Sequence, residues 1–187
     1  MNMQSFADIA FTPTVKELQE AAGSRASYAR MDGPGHDLGP REWAFLEERD
    51  SFYMASVSET GWPYVQHRGG PAGFLRVLDA DTIGFADFQG NKQYVSTGNL
   101  MNDNRVSLIL VDYPNRQRLK ILGHARFVGE DGTPEERAAL KKLALPDYRA
   151  RVERGVLINV AAFDWNCPQH ITARYTVDEI EAAAANR

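Results

Sequence analysis

The sequence predicts a mainly β (α+β) fold, a small antiparallel β-barrel with N-terminal, internal and C-terminal helices. Roughly five to seven segments with strand character cluster between residues 51 and 164, and most are joined by hairpin turns. Helix-start signals lie before, between and after these segments. Because successive hairpins pair their strands antiparallel, many short strands with few intervening helices favour closure into a barrel.

The helices are predicted from their capping signals. Thr14 with Glu17 three residues later has the spacing of a capping box, and Thr176 opens a similar one. Pro40 suits a first helical turn, and Thr133 is followed by a proline and a glutamate that favour a helix start. The predicted helices cover residues 15–22, 41–48, 134–145 and a short alanine-rich stretch from residue 177.

The strands are predicted from apolar runs and from alternation bounded by turn residues. The predicted strands cover residues 52–57, 63–68, 74–78, 82–87, 106–111, 119–128 and 157–163. One face of the segment 119–128 is predicted to be buried, because apolar or small residues share it and basic ones lie on the other. The first set is Leu119, Ile121, Gly123, Ala125 and Phe127, and the second is Arg118, Lys120, His124 and Arg126. Residues 1–40 are predicted to form a helical extension with a loop at 32–35, and residues 41–187 the barrel domain.

Composition limits the classes of function. The 187 residues suit one domain, and 43% hydrophobic with 25% charged residues is typical of a globular protein. A net charge of −4 argues against a general nucleic-acid binder. Of the 21 basic residues 16 are arginine, whose planar fork suits phosphate and carboxylate, so a small anionic ligand is compatible with this sequence.

Targeting and metal signals are missing from the sequence. Neither a signal peptide nor an apolar run near the ~20 residues of a membrane span is evident, so we expect a soluble, cytoplasmic protein. A single cysteine excludes an intrachain disulfide framework, and the four histidines share no metal-ligand spacing. Cys167 and His170 could form a thiol–imidazole pair, and the alternative is that Cys167 is a small buried residue.

Two segments that follow predicted strands carry candidate ligand-binding groups. Residues 66–71 contain adjacent glycines, which let a ligand approach the backbone closely, although a plain turn would explain them as well. Residues 87–96 offer amide, ammonium and hydroxyl donors before a helix, an arrangement that favours phosphate. The alternative for residues 87–96 is a solvated connector.

Two further segments are weaker candidates. Arg116, Arg118 and Lys120 alternate along one strand face and could meet an anion, or could protect an edge strand by charge. Residues 163–170 combine an aromatic, an amide and a proline, which suits a ligand wall or a tryptophan that caps the core. Together the four segments indicate a ligand with a phosphate and a ring that binds against the barrel.

Six segments resemble the pyridoxamine 5′-phosphate oxidase-like family. The similarity covers residues 49–71, 84–88, 96–100, 104–108, 118–123 and 165–171, the last being typical of one uncharacterised subgroup. The resemblance implies an FMN-binding split β-barrel that forms a homodimer, with flavin in clefts at the subunit interface. The substrate-binding arginine pattern of the oxidases is not evident, so vitamin B6 oxidation is not implied.

The resemblance also implies the residues of a flavin site. Those that would hold the ring and ribityl chain are His67, Arg68, Gly69 and Gly70, and those near the phosphate are Asn91, Lys92, Gln93 and Ser96. Either Lys92 or Ser96 takes the leading role. Further contacts are implied for Asp87 and Phe88, for Arg118 where the oxidases place a glutamine, and, toward the partner subunit's flavin, for Trp165, Asn166, Gln169 and His170.

The leading hypothesis is an FMN-dependent oxidoreductase that passes electrons between a reductant and a small-molecule substrate. A flavin carrier or sensor without turnover is the alternative from another class. A third possibility is the same barrel with a deazaflavin or a haem in place of FMN. Neither a nucleic acid nor a membrane is expected as a partner.

Overall fold

A single seven-stranded antiparallel sheet forms the body of the protein in the computed structural model, which describes residues 4–31, 35 and 37–185. The order of the strands across the sheet is β2-β1-β5-β6-β7-β4-β3. The strands are β1 (Ser51–Val57), β2 (Pro63–Gly69), β3 (Leu75–Val77), β4 (Thr82–Phe88), β5 (Arg105–Asp112), β6 (Gln117–Val128) and β7 (Val152–Trp165). All seven predicted strands exist, and β7 begins five residues earlier than its apolar run indicated.

The sheet curls until its distant strands share one core. Phe52 on β1 meets Phe85 on β4 edge to face with ring centroids 5.3 Å apart, although three strands separate β1 from β4 in the sheet. Phe74 stacks on Phe52 at 5.6 Å between them. Between β2 and β4 the contact is an ion pair of side chains, Arg68 with Asp87, rather than any backbone ladder of the described residues. The predicted antiparallel split barrel is therefore confirmed.

Strand β6 shows why the alternating pattern places its residues correctly. Leu119 and Ile121 are fully buried and Ala125 is nearly so, as predicted, because the side chains of a strand point alternately to its two faces. Gly123 lies on the same inward face beside a bulge in the β6–β7 ladder. A Cβ atom there would stand 2.6 Å from the Asn159 carbonyl oxygen, so only glycine fits.

Seven α-helices surround the sheet in the described part of the chain. They are α1 (Phe6–Ala10), α2 (Pro13–Ala21), α3 (Arg25–Tyr28), α4 (Pro40–Glu47), α5 (Val95–Asn102), α6 (Pro134–Lys142) and α7 (Val177–Ala185). The predicted cap of α2 is wrong: Thr12, not Thr14, accepts the Val15 N–H, because Pro13 occupies the first helical position. The predicted box at Thr133 is confirmed by reciprocal bonds with Glu136. The helices α1 and α3 were not predicted.

Backbone hydrogen bonds join the N-terminal segment to the barrel, and the centroid of the Phe6 ring lies 4.2 Å from Lys120 Nζ on β6. The Gln4 N–H donates to the Ala161 carbonyl at 3.0 Å, and the Leu38 N–H donates to the Ala80 carbonyl at 2.9 Å. Three of the four residues of the predicted loop, 32–34, lie outside the described residues. A domain boundary at residue 40 stays a prediction. No helix within the described ranges is long and apolar enough to cross a membrane.

Candidate functional site

A groove of about 310 Å³ opens where β2, the end of β4 and the start of α5 meet. We call it the polar groove. Seven of the residues expected to bind flavin line it: Arg68, Asp87, Phe88, Asn91, Lys92, Gln93 and Ser96. These residues come from two segments about 20 residues apart in the sequence, and the curl of the sheet brings them to one place.

Strand alternation points three β2 side chains into the polar groove, Tyr64, Gln66 and Arg68. The Arg68 guanidinium donates from Nη1 to Asp87 Oδ1 at 2.7 Å. Arg154 on β7 approaches the other Asp87 oxygen, with its Nε 3.6 Å from Oδ2. Asp87, only 9% exposed, thus holds two guanidinium groups in place on the wall of the groove.

Two buried donors beside this carboxylate have no hydrogen-bond partner within the described residues. They are Nε of Arg68 and Nε of Arg154; away from the groove, Nε of Arg76 and Nε of Arg118 also lack a partner. A buried N–H without an acceptor costs free energy, so such groups are rare unless a ligand or water completes them. The two atoms indicate that an acceptor, such as a phosphate or carbonyl oxygen, belongs in this part of the molecule.

The start of α5 presents backbone donors to the same groove. Its N-cap residue, Tyr94, has a left-handed backbone with φ of 53° and makes no side-chain cap. The amides of Val95, Ser96 and Thr97 are therefore left without a capping side chain, and together with the helix dipole they favour an anion. The Ser96 hydroxyl donates to Gln66 Oε1 at 2.6 Å, which fixes the first turn against β2.

The loop before α5 bends over the polar groove. Lys92 also has a left-handed backbone, with φ of 59°, and the Asn91 side chain accepts the Gln93 N–H at 3.1 Å. The Tyr94 hydroxyl donates to Glu153 Oε1 on β7 at 2.9 Å. That hydrogen bond, with some loss of hydration, raises the pKa of Tyr94 above its ordinary value of 10.0, because the phenolate could not donate to Glu153.

A second, smaller pocket of about 150 Å³ adjoins the polar groove. Arg68, Asp87 and Phe88 line both, and the smaller pocket adds His67 and Gly69 beside core phenylalanines. Its lining suits a flat ring better than a phosphate, since it is partly aromatic. Gly70 packs on the core: a Cβ there would stand 2.8 Å from the side chain of Phe74.

The structure places five expected contacts away from the polar groove: Arg118, Trp165, Asn166, Gln169 and His170. Glu153 and Trp165 are twelve residues apart on β7, which is roughly 40 Å along an extended strand. At the far end the Asn166 N–H donates to the Arg118 carbonyl at 3.1 Å. Within one protomer these residues therefore belong to the opposite end of the barrel.

Trp165 has a complete set of partners in its own chain. Its Nε1–H donates to Glu42 Oε1 at 2.7 Å. The ring meets Phe45 edge to face at 4.7 Å, and the Arg41 guanidinium lies 4.0 Å from the ring centroid. The alternative stated for this segment, a tryptophan that caps the core, describes these contacts.

Two other sequence interpretations are corrected by the structure. Charge protection of an edge strand is wrong for Arg116 and its neighbours, because β6 lies between β5 and β7 and Arg116 lies in the turn before it. Lys120 pairs with Asp164 at 2.9 Å. Cys167 is exposed, so the interpretation that it is a buried residue is also wrong. The described residues contain no group of three or more metal-ligating side chains.

Sequence reasoning missed several groove residues, among them Tyr64, Thr97 and Glu153. The period of two along β2 was a signal for Tyr64 and Gln66, since both share the face of Arg68. Glu153 left no such signal, because it lies before the apolar run of β7 and contacts Tyr94 across 59 residues of sequence.

Solved structures with the same fold exist at low sequence identity. HupZ of Group A Streptococcus is 17% identical with a TM-score of 0.53, and the match covers 74% of this chain and 100% of that one. A candidate pyridoxamine 5′-phosphate oxidase of Lactobacillus delbrueckii is 21% identical with a TM-score of 0.50, and the match covers 68% and 93%. Among curated proteins, none matches this chain.

The sequence model of the pyridoxamine 5′-phosphate oxidase family matches residues 40–161. That span is more than half of the chain and contains β1 to β6, α5 and most of β7. It includes most of the polar groove. The resemblance found in the sequence is confirmed, and the chain belongs to the pyridoxamine 5′-phosphate oxidase family.

Proposed function

We propose that this protein binds FMN and acts as an FMN-dependent oxidoreductase on a small-molecule substrate. The observation that carries the proposal is the meeting of Lys92, Arg68 and the uncapped start of α5 in one groove. Lys92 and Arg68 line the groove, and Arg154 pairs with Asp87 and Glu153 on its wall. Against these two carboxylates, the three cations leave one net positive charge before the helix dipole is counted. This balance suits a phosphate monoester.

The residues present fit such a group. The phosphate would accept hydrogen bonds from the α5 amides and from Lys92. The unpartnered Nε of Arg68 offers a buried donor to the ribityl chain of the flavin. The flat ring would occupy the adjoining pocket, where His67 and Gly69 line the wall. Gln66 is already engaged by Ser96, so that pair orients the first turn of α5 for binding.

When bound, FMN supplies the electron-transfer chemistry, and the protein holds and tunes it. The Arg68–Asp87–Arg154 cluster keeps its charges in place before the ligand arrives, so little reorganisation accompanies binding. His67 lines the adjoining pocket and carries an imidazole, which can pass a proton. We propose His67 as the candidate for that role.

The proposal includes a homodimer. Three apolar side chains of the hairpin β1–β2 face outward and are strongly exposed in the single chain: Tyr53, Val57 and Val65, the last at 59%. Register pairing sets Ala55 beside Val65 on this face. Burial of such a face in a second copy would bring Asn166, Gln169 and His170 of one protomer toward the flavin of the other.

The visible spectrum of the purified protein, followed by titration with FMN, tests the cofactor. We expect an oxidised-flavin spectrum and one FMN per chain, and anaerobic reduction by a nicotinamide nucleotide would establish electron transfer. Stoichiometric FMN without reduction by either nucleotide would favour a carrier, and a deazaflavin or haem spectrum would contradict FMN.

Light scattering tests the dimer. We expect a mass of about 42 kDa, twice the 20.9 kDa of the chain, in the flavin-loaded protein. Full flavin occupancy at the mass of a single chain would contradict an interface site.

A further inference from the structure

One wall of the polar groove is acidic, which attraction for a phosphate does not explain. Glu153 lines the groove and accepts from the Tyr94 hydroxyl at 2.9 Å. It also pairs with the Arg154 guanidinium. A carboxylate beside a phosphate site repels any further negative charge, so its presence there has a consequence for the ligand that the groove accepts.

The Tyr94–Glu153 contact lies directly beside the proposed phosphate position. Tyr94 is the N-cap residue of α5, and the first uncapped amide belongs to the next residue, Val95. The left-handed backbone of Tyr94 and of Lys92 turns this loop across the groove, and the hydrogen bond joins it to β7. The two side chains thus form a rim, which we call the Tyr94–Glu153 rim.

The rim treats two kinds of phosphate ligand differently. A flavin that ends in a phosphate monoester would end at the α5 amides, with no further group beyond the phosphate. A flavin whose phosphate continues into a second phosphate would place another negative charge one bridging oxygen further, next to the Glu153 carboxylate. Repulsion by a like charge is a common way to exclude one ligand without tighter binding of the preferred ligand.

We propose that the Tyr94–Glu153 rim makes the groove selective for a flavin that ends in a phosphate monoester and rejects flavin dinucleotides. This inference rests on the proposed function, since it concerns the same groove. Glu153 is a specificity-determining residue in this account, and Tyr94 positions it by a single hydrogen bond.

Calorimetric titration of the full-length chain with FMN and with FAD tests the proposal. We expect the wild-type protein to bind FMN roughly tenfold more tightly than FAD. Glu153→Gln should reduce that ratio at least about threefold, since the neutral amide no longer repels the second phosphate. The ratio is the decisive quantity, because loss of the Glu153 charge also frees Arg154 and can change each affinity by itself.

Two further variants complete the experiment, one as a charge control and one as a second variant of the rim. Glu181→Gln removes the same charge from an exposed position on α7 and should leave the FMN-to-FAD ratio unchanged. Tyr94→Ala removes the other half of the rim and should also lower the ratio, which keeps the test available if Glu153→Gln folds poorly. Melting temperatures report folding for each variant.

The outcomes separate this proposal from the proposed function. Tight FMN binding with equal affinity for FAD, or an unchanged ratio in both rim variants, would overturn the selectivity and leave the FMN site intact. A wild-type protein that binds neither flavin would contradict the proposed function and the rim together.

Discussion

The two ends of β7 differ in the sequence and in the structure. The sequence marks only the far end, residues 163–170, as a candidate ligand wall, whereas the structure places the polar groove at the start, where Glu153 lines it and Arg154 pairs with Asp87 on its wall. At the start of the strand, the Nε donors of Arg68 and Arg154 lack hydrogen-bond partners in the part of the chain that the structure describes. At its end, Trp165 has a carboxylate acceptor, an aromatic neighbour and a stacked guanidinium from its own chain. Two donors at the first end have no acceptor within the described residues, whereas the indole at the second end has one.

The comparison teaches that the contacts each candidate side chain already makes, rather than a density of unusual residues, indicate which candidates remain available to a ligand within one chain. Backbone strain does not separate the two ends: Tyr94 at the groove and His170 at the other end both have left-handed backbones, with φ of 53° and 63°. The partners of particular side chains do separate them: the Trp165 indole donates to Glu42, whereas the Nε donors of Arg68 and Arg154 have no acceptor among the described residues, as is also true of Arg118 Nε at the far end.

The largest expected effect concerns Trp165, at the C-terminal end of β7. Trp165→Ala should lower the free energy of unfolding by about 2–4 kcal/mol, since it removes a partly buried aromatic ring and the donor to Glu42. Urea denaturation measures this change. FMN affinity of the folded variant should stay within about threefold of wild type. A stable variant with much weaker FMN binding would place Trp165 in the ligand site and erase the contrast.

Arg68→Ala tests the polar groove. We expect FMN binding to weaken by about 1.5–3 kcal/mol, the range for a charge-assisted contact, measured by calorimetric titration. Arg68→Lys is the matched control: it keeps the charge and loses the fork, so it should recover only part of the affinity. Parental affinity in Arg68→Ala would show that the unpartnered Nε is not a ligand donor.

Lys92→Ala should have a smaller effect, about 1 kcal/mol on FMN binding, because the lysine lies on an exposed loop where solvent screens its charge. Lys16→Ala, on the exposed α2 helix, removes the same charge away from the groove and should leave affinity unchanged. The same titration measures both. Equal losses in the two variants would indicate an effect of net charge alone.

The smallest effect concerns the titration of Tyr94. Its pKa is raised in the folded protein, chiefly by the hydrogen bond to Glu153. The associated stabilisation is therefore present below pH ~10 and is lost as the pH rises through the raised pKa. Difference ultraviolet titration of wild type against Tyr94→Phe should show one tyrosine ionising late, and Glu153→Gln should shift that ionisation to lower pH. A Tyr94 that titrates near its ordinary pKa would argue against the rim contact in solution.

The strands could be predicted because their alternation and their turn residues are local signals. β6 shows this best, since Leu119, Ile121, Gly123 and Ala125 are buried as predicted and Phe127 is half-buried. The boundaries were weaker where local signals conflict. The N-cap of α2 shifted from Thr14 to Thr12 because Pro13 favours the first helical position, and β7 extended before its apolar run because pairing with β4 continues to Val152.

For the site, the sequence predicted individual residues but not which of them lie together in the structure. Arg68 and Lys92 were both expected near flavin, and the structure brings them into one groove. Trp165 was expected toward the partner subunit's flavin, and within its own chain it lies at the other end of the barrel. The missing information was the curl of the sheet, which depends on long-range contacts such as Phe52 with Phe85 that no local pattern encodes.

The sequence by itself determined the class of the fold, the family and the candidate phosphate-binding loop, because periodicity, caps and adjacent glycines act over a few residues. Only the tertiary structure decided which candidates share a groove, which donors remain unsatisfied and where the Tyr94–Glu153 rim lies. The physical reason is distance along the chain: the hydrogen bond that forms the rim joins residues 59 positions apart, and the closure of the sheet alone brings them into contact.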